Sequence, residues 1–247
     1  ENLSPDVCPR ITFLKLEIDK NPNEYSEYLD NYFKDLNLNK NNFFTDISNY
    51  LSYETGQPTH CYDSTKINGS IVFSELDTNE QFETLLEKKI NLTDKNSVFL
   101  LNNEVINLAG VVGGKNTSCS SKTMSVLVEC AFFKPEAIMG KSLKYDIQSE
   151  ASHKFERYVD PSCHDMVIRR FIKIVSDHTK IKNISIFSQE FNQYEIHKIP
   201  VDVDKINKIL GININKDQYS NYLTKLGFDI SEGQISVPPY RNDIKNQ

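Results

Sequence analysis

Ser97-Val98-Phe99-Leu100-Leu101-Asn102-Asn103-Glu104-Val105-Ile106-Asn107-Leu108 reads as two apolar strands joined by a tight turn at Asn102-Asn103. Turns of this kind join antiparallel neighbours, so the stretch points to a hairpin. Ile71-Val72-Phe73 upstream and Ser125 to Phe133 downstream read as further strands, the second of them buried. Nearer the start, Leu14, Leu16 and Ile18 alternate with Thr12, Lys15 and Glu17 over Ile11 to Ile18, although Phe13 breaks the pattern. Asn183-Ile184-Ser185-Ile186-Phe187 adds another strand. Helices are fewer. Asn21-Pro22 reads as a helix N-cap followed by proline at the first helical position. Behind it Tyr25, Tyr28, Leu29, Tyr32, Phe33 and Leu36 fall on one face, a stripe that reads as core packing rather than a base-stacking platform. After Asp160-Pro161 a helix is predicted from Ser162 to His178, with Met166 or Val167, Phe171, Ile174, Val175 and His178 inward. The expected class is α+β: mostly antiparallel sheets with packed helices.

The pattern changes around Ile196-His197-Lys198-Ile199-Pro200. One helix carries Ile206, Ile209 and Leu210 and stops at Gly211. A second starts near Asn215, carries Tyr219, Tyr222, Leu223 and Leu226, and stops at Gly227. A hairpin follows, Phe228-Asp229-Ile230 turning at Glu232-Gly233 into Ile235-Ser236-Val237. We therefore expect two domains, 1–196 and 197–247, the second a small helical domain with a β-hairpin. Its size is marginal for independent stability.

Bulk composition narrows the class. The chain has 247 residues, 38% hydrophobic and 25% charged, with a net charge of -6. A dedicated nucleic-acid binder is strongly basic, so RNA would be met through a local patch or within a larger assembly. The five cysteines contain no CxxC pair, which argues against a zinc site and for reduced thiols. No apolar run approaches ~20 residues, and no signal-peptide pattern opens the chain. The start at Glu1 and the open end at Asn246-Gln247 read as a piece of a longer protein.

Three segments carry chemistry. Glu54-Thr55-Gly56-Gln57-Pro58-Thr59-His60-Cys61-Tyr62-Asp63 sets a histidine after a glycine and a proline, between two acids. A neutral imidazole near its usual pKa of about 6.5 can accept a proton from water, though a lone histidine is also a common structural residue. Val128-Glu129-Cys130-Ala131-Phe132-Phe133 puts an acid in an apolar strand. Alternation either turns Glu129 to solvent or buries it, and a buried carboxylate must be hydrogen-bonded or paired. Leu108-Ala109-Gly110-Val111-Val112-Gly113-Gly114 is no phosphate loop. It allows close backbone approach to a ligand, or it is a simple turn after a strand. His153, His164, His178 and His197 read as structural. No cysteine is clearly activated, so hydrolysis here would use a positioned water.

Together with Asp46-Ile47-Ser48-Asn49-Tyr50, Ala151 to Pro161, Ile209-Leu210-Gly211, Leu226-Gly227-Phe228 and Val237 to Ile244, these segments resemble the β-subunit family of bacterial phenylalanyl-tRNA synthetases. The motifs keep the family's order over nearly the whole chain. The resemblance implies that residues 1–196 are a tRNA-editing module and that 197–247 are a small DNA-binding-like domain, with no DNA partner expected. It implies hydrolysis of tyrosine wrongly attached to tRNA(Phe), in support of phenylalanyl-tRNA aminoacylation. His60 and Asn49 would help place the water and the ester, with Ser48 at a position usually held by threonine. Glu129 would bind the tyrosine hydroxyl. Gly110, Gly113 and Ala151 would form the pocket wall, with Pro58 and Ser149 nearby. The logic is a double sieve, because a hydrophobic pocket rejects an added hydroxyl poorly and a second site must sort the product. The family places ATP, magnesium and phenylalanine binding in the α subunit, so this chain would need no cofactor and no metal of its own. The implied setting is a cytoplasmic heterotetramer with no membrane contact. Departures from the family are Ser149-Glu150 for Thr-Asp, Thr59, Cys61 and Tyr62 for apolar neighbours of the histidine, and Tyr158 for a glycine. They motivate an alternative reading, a catalytically decayed structural and RNA-docking module. A free-standing trans-editing protein is the weakest option.

Overall fold

The computed structural model describes residues 1–192 and 194–246. They divide into two compact units, Glu1–Asn192 and Gln193–Gln247. The first unit runs β1 (Arg10–Ile18), α1 (Glu27–Asp35), α2 (Phe43–Thr55), β2 (His60–Asp63), β3 (Ile71–Glu83), β4 (Lys89–Leu101), β5 (Glu104–Leu108), β6 (Val112–Gly113), β7 (Ser125–Phe132), α3 (Pro135–Ile138), α4 (Lys141–Lys144), α5 (Glu150–Phe155), α6 (His164–His178) and β8 (Ile181–Glu190). Two four-stranded sheets result, ordered β2-β7-β1-β8 and β3-β4-β5-β6, and every named pairing is antiparallel. The class is α+β, as expected.

The Asn102-Asn103 turn forms as read. Both residues take the left-handed conformation, with φ of 52° and 67°, that a two-residue hairpin needs. Strands β3 and β4 run much further than their apolar ends, through the polar stretches Glu75–Gln81 and Thr93–Asn96.

The break at Phe13 has a structural reason. Strand β1 lies between β7 and β8, and both its faces are covered over Ile11 to Leu14, whereas Lys15 beyond is exposed. Thr12, Leu14, Leu16 and Ile18 face the helices, where the last three pack with Phe44, Ile47 and Leu51 of α2 and Val167, Phe171 and Ile174 of α6. Phe13 faces the second sheet and meets Phe99 edge-on at 6.4 Å. A strand buried on both sides does not alternate.

Several helix readings are corrected. Asn21 does not cap α1: its amide donates to the carbonyls of Ser121 and Thr123, and the helix begins after Ser26. Tyr25 thus precedes the helix, and only Leu29 and Phe33 of the stripe are buried within it. In α6 the inward residue is Val167, since Met166 is 51% exposed. Helix α2 was not foreseen as a helix. It is rich in weak helix formers, but the Asn42 side chain accepts the Thr45 amide at 3.1 Å. Phe43, Ile47 and Leu51 then repeat at helical spacing into the core. Tyr158, where the resemblance implied glycine, takes a φ of 81°, and its ring meets Phe132 at 5.5 Å.

The second unit contains β9 (Lys198–Pro200), α7 (Val203–Leu210), α8 (Lys216–Lys225), β10 (Asp229–Ser231) and β11 (Gln234–Ser236). Gly211 ends α7 at φ 68°, and Asn215 with Gln218 forms a reciprocal capping box on α8. The hairpin turns at Glu232-Gly233, both at positive φ. The segment read as a change of pattern supplies β9, which completes a three-stranded sheet ordered β10-β11-β9. Ile199, Tyr219, Phe228, Ile235 and Val237 form this unit's own core.

Candidate functional site

The site is built where the first sheet faces the second. Helix α2 stops at Gly56, which adopts φ 79°. Gln57 is buried behind it and donates from its amide to the carbonyls of Pro58 and Ala131, at 2.9 and 3.0 Å. That tie delivers the chain onto β7, and β2 pairs there with His60 directly opposite Glu129. Period two does the rest. Cys61, Val126, Val128 and Cys130 turn to the helices. Tyr62 and Ala131 turn to the second sheet, and with them His60 and Glu129.

Glu129 is therefore buried, and the choice left open by the sequence is resolved inward. It is 5% exposed. The Tyr62 hydroxyl donates to its Oε2 at 2.7 Å, and the Asn107 amide donates to the same oxygen at 3.2 Å and to the Tyr62 hydroxyl at 2.8 Å. Burial pushes the carboxyl pKa up to about 8, against the opposing pull of these two donors. At pH 7 the group is mostly protonated, so it can donate a hydrogen bond as well as accept one.

His60 departs from its expected chemistry. Burial lowers its pKa to about 4. The side chain keeps some open surface, but Nε2 is sealed from solvent with no hydrogen-bond partner among the described residues. The ring lies edge-on to Tyr62, with centroids 4.4 Å apart. Beneath it sits Gly113, where an added Cβ would stand 2.1 Å from the ring's Cε1. The close approach that this glycine permits is thus made by His60. Gly110 shapes the β5–β6 turn at φ 69°, with Ile138 packed against the face where a Cβ would be. A weak base that stays neutral above pH 4 suits orienting a water better than removing its proton.

Pro58, His60, Gly110, Gly113, Glu129 and Ala151 line one cavity of about 70 Å³, together with Thr59, Asn107, Val111, Val112 and Phe155. The other sequence candidates lie elsewhere. Ser48 is buried in α2 and is held by the carbonyl and hydroxyl of Thr59, at 2.7 and 2.8 Å. Asn49 lines a separate groove of about 550 Å³ between α1, α2 and α5, with Tyr32, Tyr53, Glu150 and Lys154. Ser149 caps α5 and donates to the Val111 carbonyl at 2.7 Å, which ties that helix to the glycine turn. Cavity and groove approach one another at α5, where Ala151 lines the first and Glu150 the second. A polar depression of about 680 Å³ on the second sheet shares no residue with the cavity.

Asn107 was not nominated from the sequence. Its signal was available: an amide within the apolar run Val105-Ile106-Asn107-Leu108 needs a buried partner. Burial raises the thiols of Cys8, Cys61 and Cys130 well above their ordinary value, so none of them is an activated nucleophile. Among the described residues no cluster of His, Cys, Asp and Glu could hold a metal, and no helix is long and apolar enough to cross a membrane.

Comparison with known proteins fits this arrangement. Residues 7–180 match the family described as the B3/4 domain, and residues 199–247 match the tRNA synthetase B5 domain. The phenylalanine–tRNA ligase β subunit of Ehrlichia canis is 29% identical over 229 residues, covering 90% of this chain and 29% of that one. That of Psychrobacter arcticus is 27% identical, covering 97% and 31%. That of Bartonella henselae is 32% identical, covering 82% and 26%. The chain thus spans less than a third of the length of these relatives. A solved N-terminal fragment of the phenylalanyl-tRNA synthetase β subunit from Pyrococcus horikoshii covers 99% of this chain and 69% of its own, at 12% identity and a TM-score of 0.45, too distant to argue from. The chain belongs to the B3/4 domain family, carries a tRNA synthetase B5 domain beyond it, and is a homologue of phenylalanine–tRNA ligase β subunits.

Proposed function

We propose that the cavity between His60 and Glu129 is a proofreading site that hydrolyses tyrosine misattached to tRNA(Phe). The observation that carries this reading is their cross-strand pairing on the walls of one cavity, far apart in sequence. The tyrosine hydroxyl meets Glu129. Phenylalanine offers no hydroxyl to the oxygen of Glu129 that Tyr62 and Asn107 leave free, a loss of roughly 1 kcal/mol. His60, neutral at physiological pH, accepts a hydrogen bond at Nδ1 from the attacking water, since Nε2 is sealed, and orients it toward the ester. Asn49, in the neighbouring groove, meets the tRNA end rather than the amino-acid ring. The catalysis is positional, with no covalent intermediate. ATP and Mg²⁺ serve the aminoacylation step, which this reading assigns to an α subunit partnered with the full-length protein. The residues described here offer neither a metal set nor a phosphate loop.

The test is deacylation of tyrosyl-tRNA(Phe) by the full-length subunit assembled with its α partner. His60→Ala and Glu129→Ala should each lower the rate. Unchanged deacylation in both would remove the assignment. One observation favours a second reading, a structural and RNA-docking module without activity. A cavity of about 70 Å³ is smaller than the ~150 Å³ that holds a benzene ring, so a tyrosine side chain enters only if His60 or α5 shifts. Crystals soaked with a non-hydrolysable tyrosyl-adenosine analogue separate the two. Density between His60 and Glu129 supports editing, and an unaltered, empty cavity at saturating ligand supports the docking module.

A further inference from the structure

The polar triangle around Glu129 joins three strands from two sheets. Tyr62 comes from β2, Asn107 from β5 and Glu129 from β7. All three are buried, at 0%, 3% and 5% exposure. Both donors converge on one carboxyl oxygen, Oε2. Among the described residues no donor reaches Oε1, and Glu129 forms part of the cavity wall. Asn107 braces the pair by donating to the Tyr62 hydroxyl as well.

We propose that Tyr62 and Asn107 are the positioning residues for this acid: by holding Oε2 they leave Oε1 as the single carboxyl oxygen presented to a phenolic hydroxyl in the cavity. The inference rests on the proofreading function proposed above and adds residues to it. The physical reason lies in the terminal torsion of a glutamate side chain. That torsion is broad and roughly two-fold, so an unbraced carboxyl group samples many orientations. Two donors on one oxygen select one of them before any ligand arrives. Recognition then loses less conformational freedom, which is how pre-organisation raises affinity. The Tyr62 contact also shows the chemistry that this acid accepts, since its partner at 2.7 Å is itself a phenolic hydroxyl. A ligand presenting the same group from the cavity would meet the remaining oxygen.

The test uses Tyr62→Phe, which keeps the buried ring and removes only the hydroxyl. In the full-length subunit with its α partner, KM for tyrosyl-tRNA(Phe) deacylation should rise about tenfold while kcat changes little. In a Glu129→Gln background the same change should add nothing, because Tyr62 acts through the acid. A readout independent of turnover is the ¹³C carboxyl titration of Glu129. Its midpoint should move upward in Tyr62→Phe, since a donor that favours the charged form is gone. An unchanged titration midpoint, or a lower KM in Tyr62→Phe, overturns the inference; the latter would make the hydroxyl a competitor of the ligand. The two levels fail separately. Deacylation insensitive to His60→Ala and Glu129→Ala sinks the proofreading function even if the titration shifts. Loss of activity in those variants with a silent Tyr62→Phe sinks only the positioning role.

Discussion

Strands β2 and β7 have two faces with opposite characters. One face carries Cys61, Val126, Val128 and Cys130 into a mainly apolar layer beneath α2 and α6. The other carries His60, Tyr62 and Glu129 toward the second sheet, where Asn107 completes a polar network. The same backbone serves both, and adjacent residues do unrelated work. One face holds the fold together, and the other holds a weak base and a raised acid in fixed positions. Deletions on the apolar face should therefore lower stability and leave chemistry intact, while changes on the polar face should do the reverse.

The sharpest way to break that division is Leu14→Ala. Leu14 is fully buried on the apolar side, and the truncation should destabilise by about 2–5 kcal/mol. Denaturant unfolding reads this, and deacylation per folded molecule should stay level. Glu129→Ala tests the other side. If the proposed proofreading function holds, this variant should lower kcat/KM for tyrosyl-tRNA(Phe) by about 10- to 100-fold. A larger loss of stability than of activity would contradict the division.

Acid should act through both faces. His60 titrates at about 4 and His164, buried beside Thr12 on the helix side, at about 3. Burial is the main cause for each, with the Arg10 charge adding to it for His164. Their folded values lie below the unfolded value of about 6.5. The stability they contribute is complete above that pH and drains away as pH falls toward 4 and then 3. A loss of stability between about pH 6.5 and 4, partly offset by Glu129 in the same window, is expected in urea melts, and His164→Leu should reduce it. Glu129 has the opposite sign. Its folded pKa of about 8 means that its contribution is intact below about 4.5 and lost as pH rises through 8. The activity profile should show a step near pH 8 that vanishes in Glu129→Gln, with no step near 6.5 from His60.

Gly113→Ala gives the smallest effect and the finest resolution. The new methyl group would strike the His60 ring. If the ring tilts away within its partly open surroundings, deacylation should fall about fivefold with little change in melting. An unaltered rate would mean that the ring position does not matter.

Much of this architecture was legible in the chain. The Asn102-Asn103 turn, the β1 and β7 strands, α6 and the capped helices of the second unit all declare themselves through local pattern. Their signals are short-range: turn chemistry, period two, period 3.6. Helix α2 hid because Ser, Asn, Thr and Tyr blur its propensity, and only the Asn42 cap and the Phe43, Ile47, Leu51 spacing mark it. Strand β2 is four residues long and exists because β7 is beside it. The site followed the same rule. His60, Glu129 and the glycines were each suspect from composition of their neighbourhood, whereas Asn107 passed unremarked within an apolar run. Resemblance groups Asn49 and Ser48 with them; in the structure Ser48 stands behind the cavity wall on Thr59, and Asn49 lines the adjacent groove.

The sequence by itself determined which residues alternate, where the chain turns and where α6, α7 and α8 run, because those depend on neighbours a few positions away. It could not decide which face of β7 would be the polar one. That depends on β2, 67 residues upstream of its partner at the Tyr62–Glu129 contact, and on β5 of a different sheet. Burial then did what no local pattern records: it lowered His60 and raised Glu129, side by side on neighbouring strands. Protonation in a folded chain is set by what surrounds a side chain in space, and only the tertiary structure supplies that.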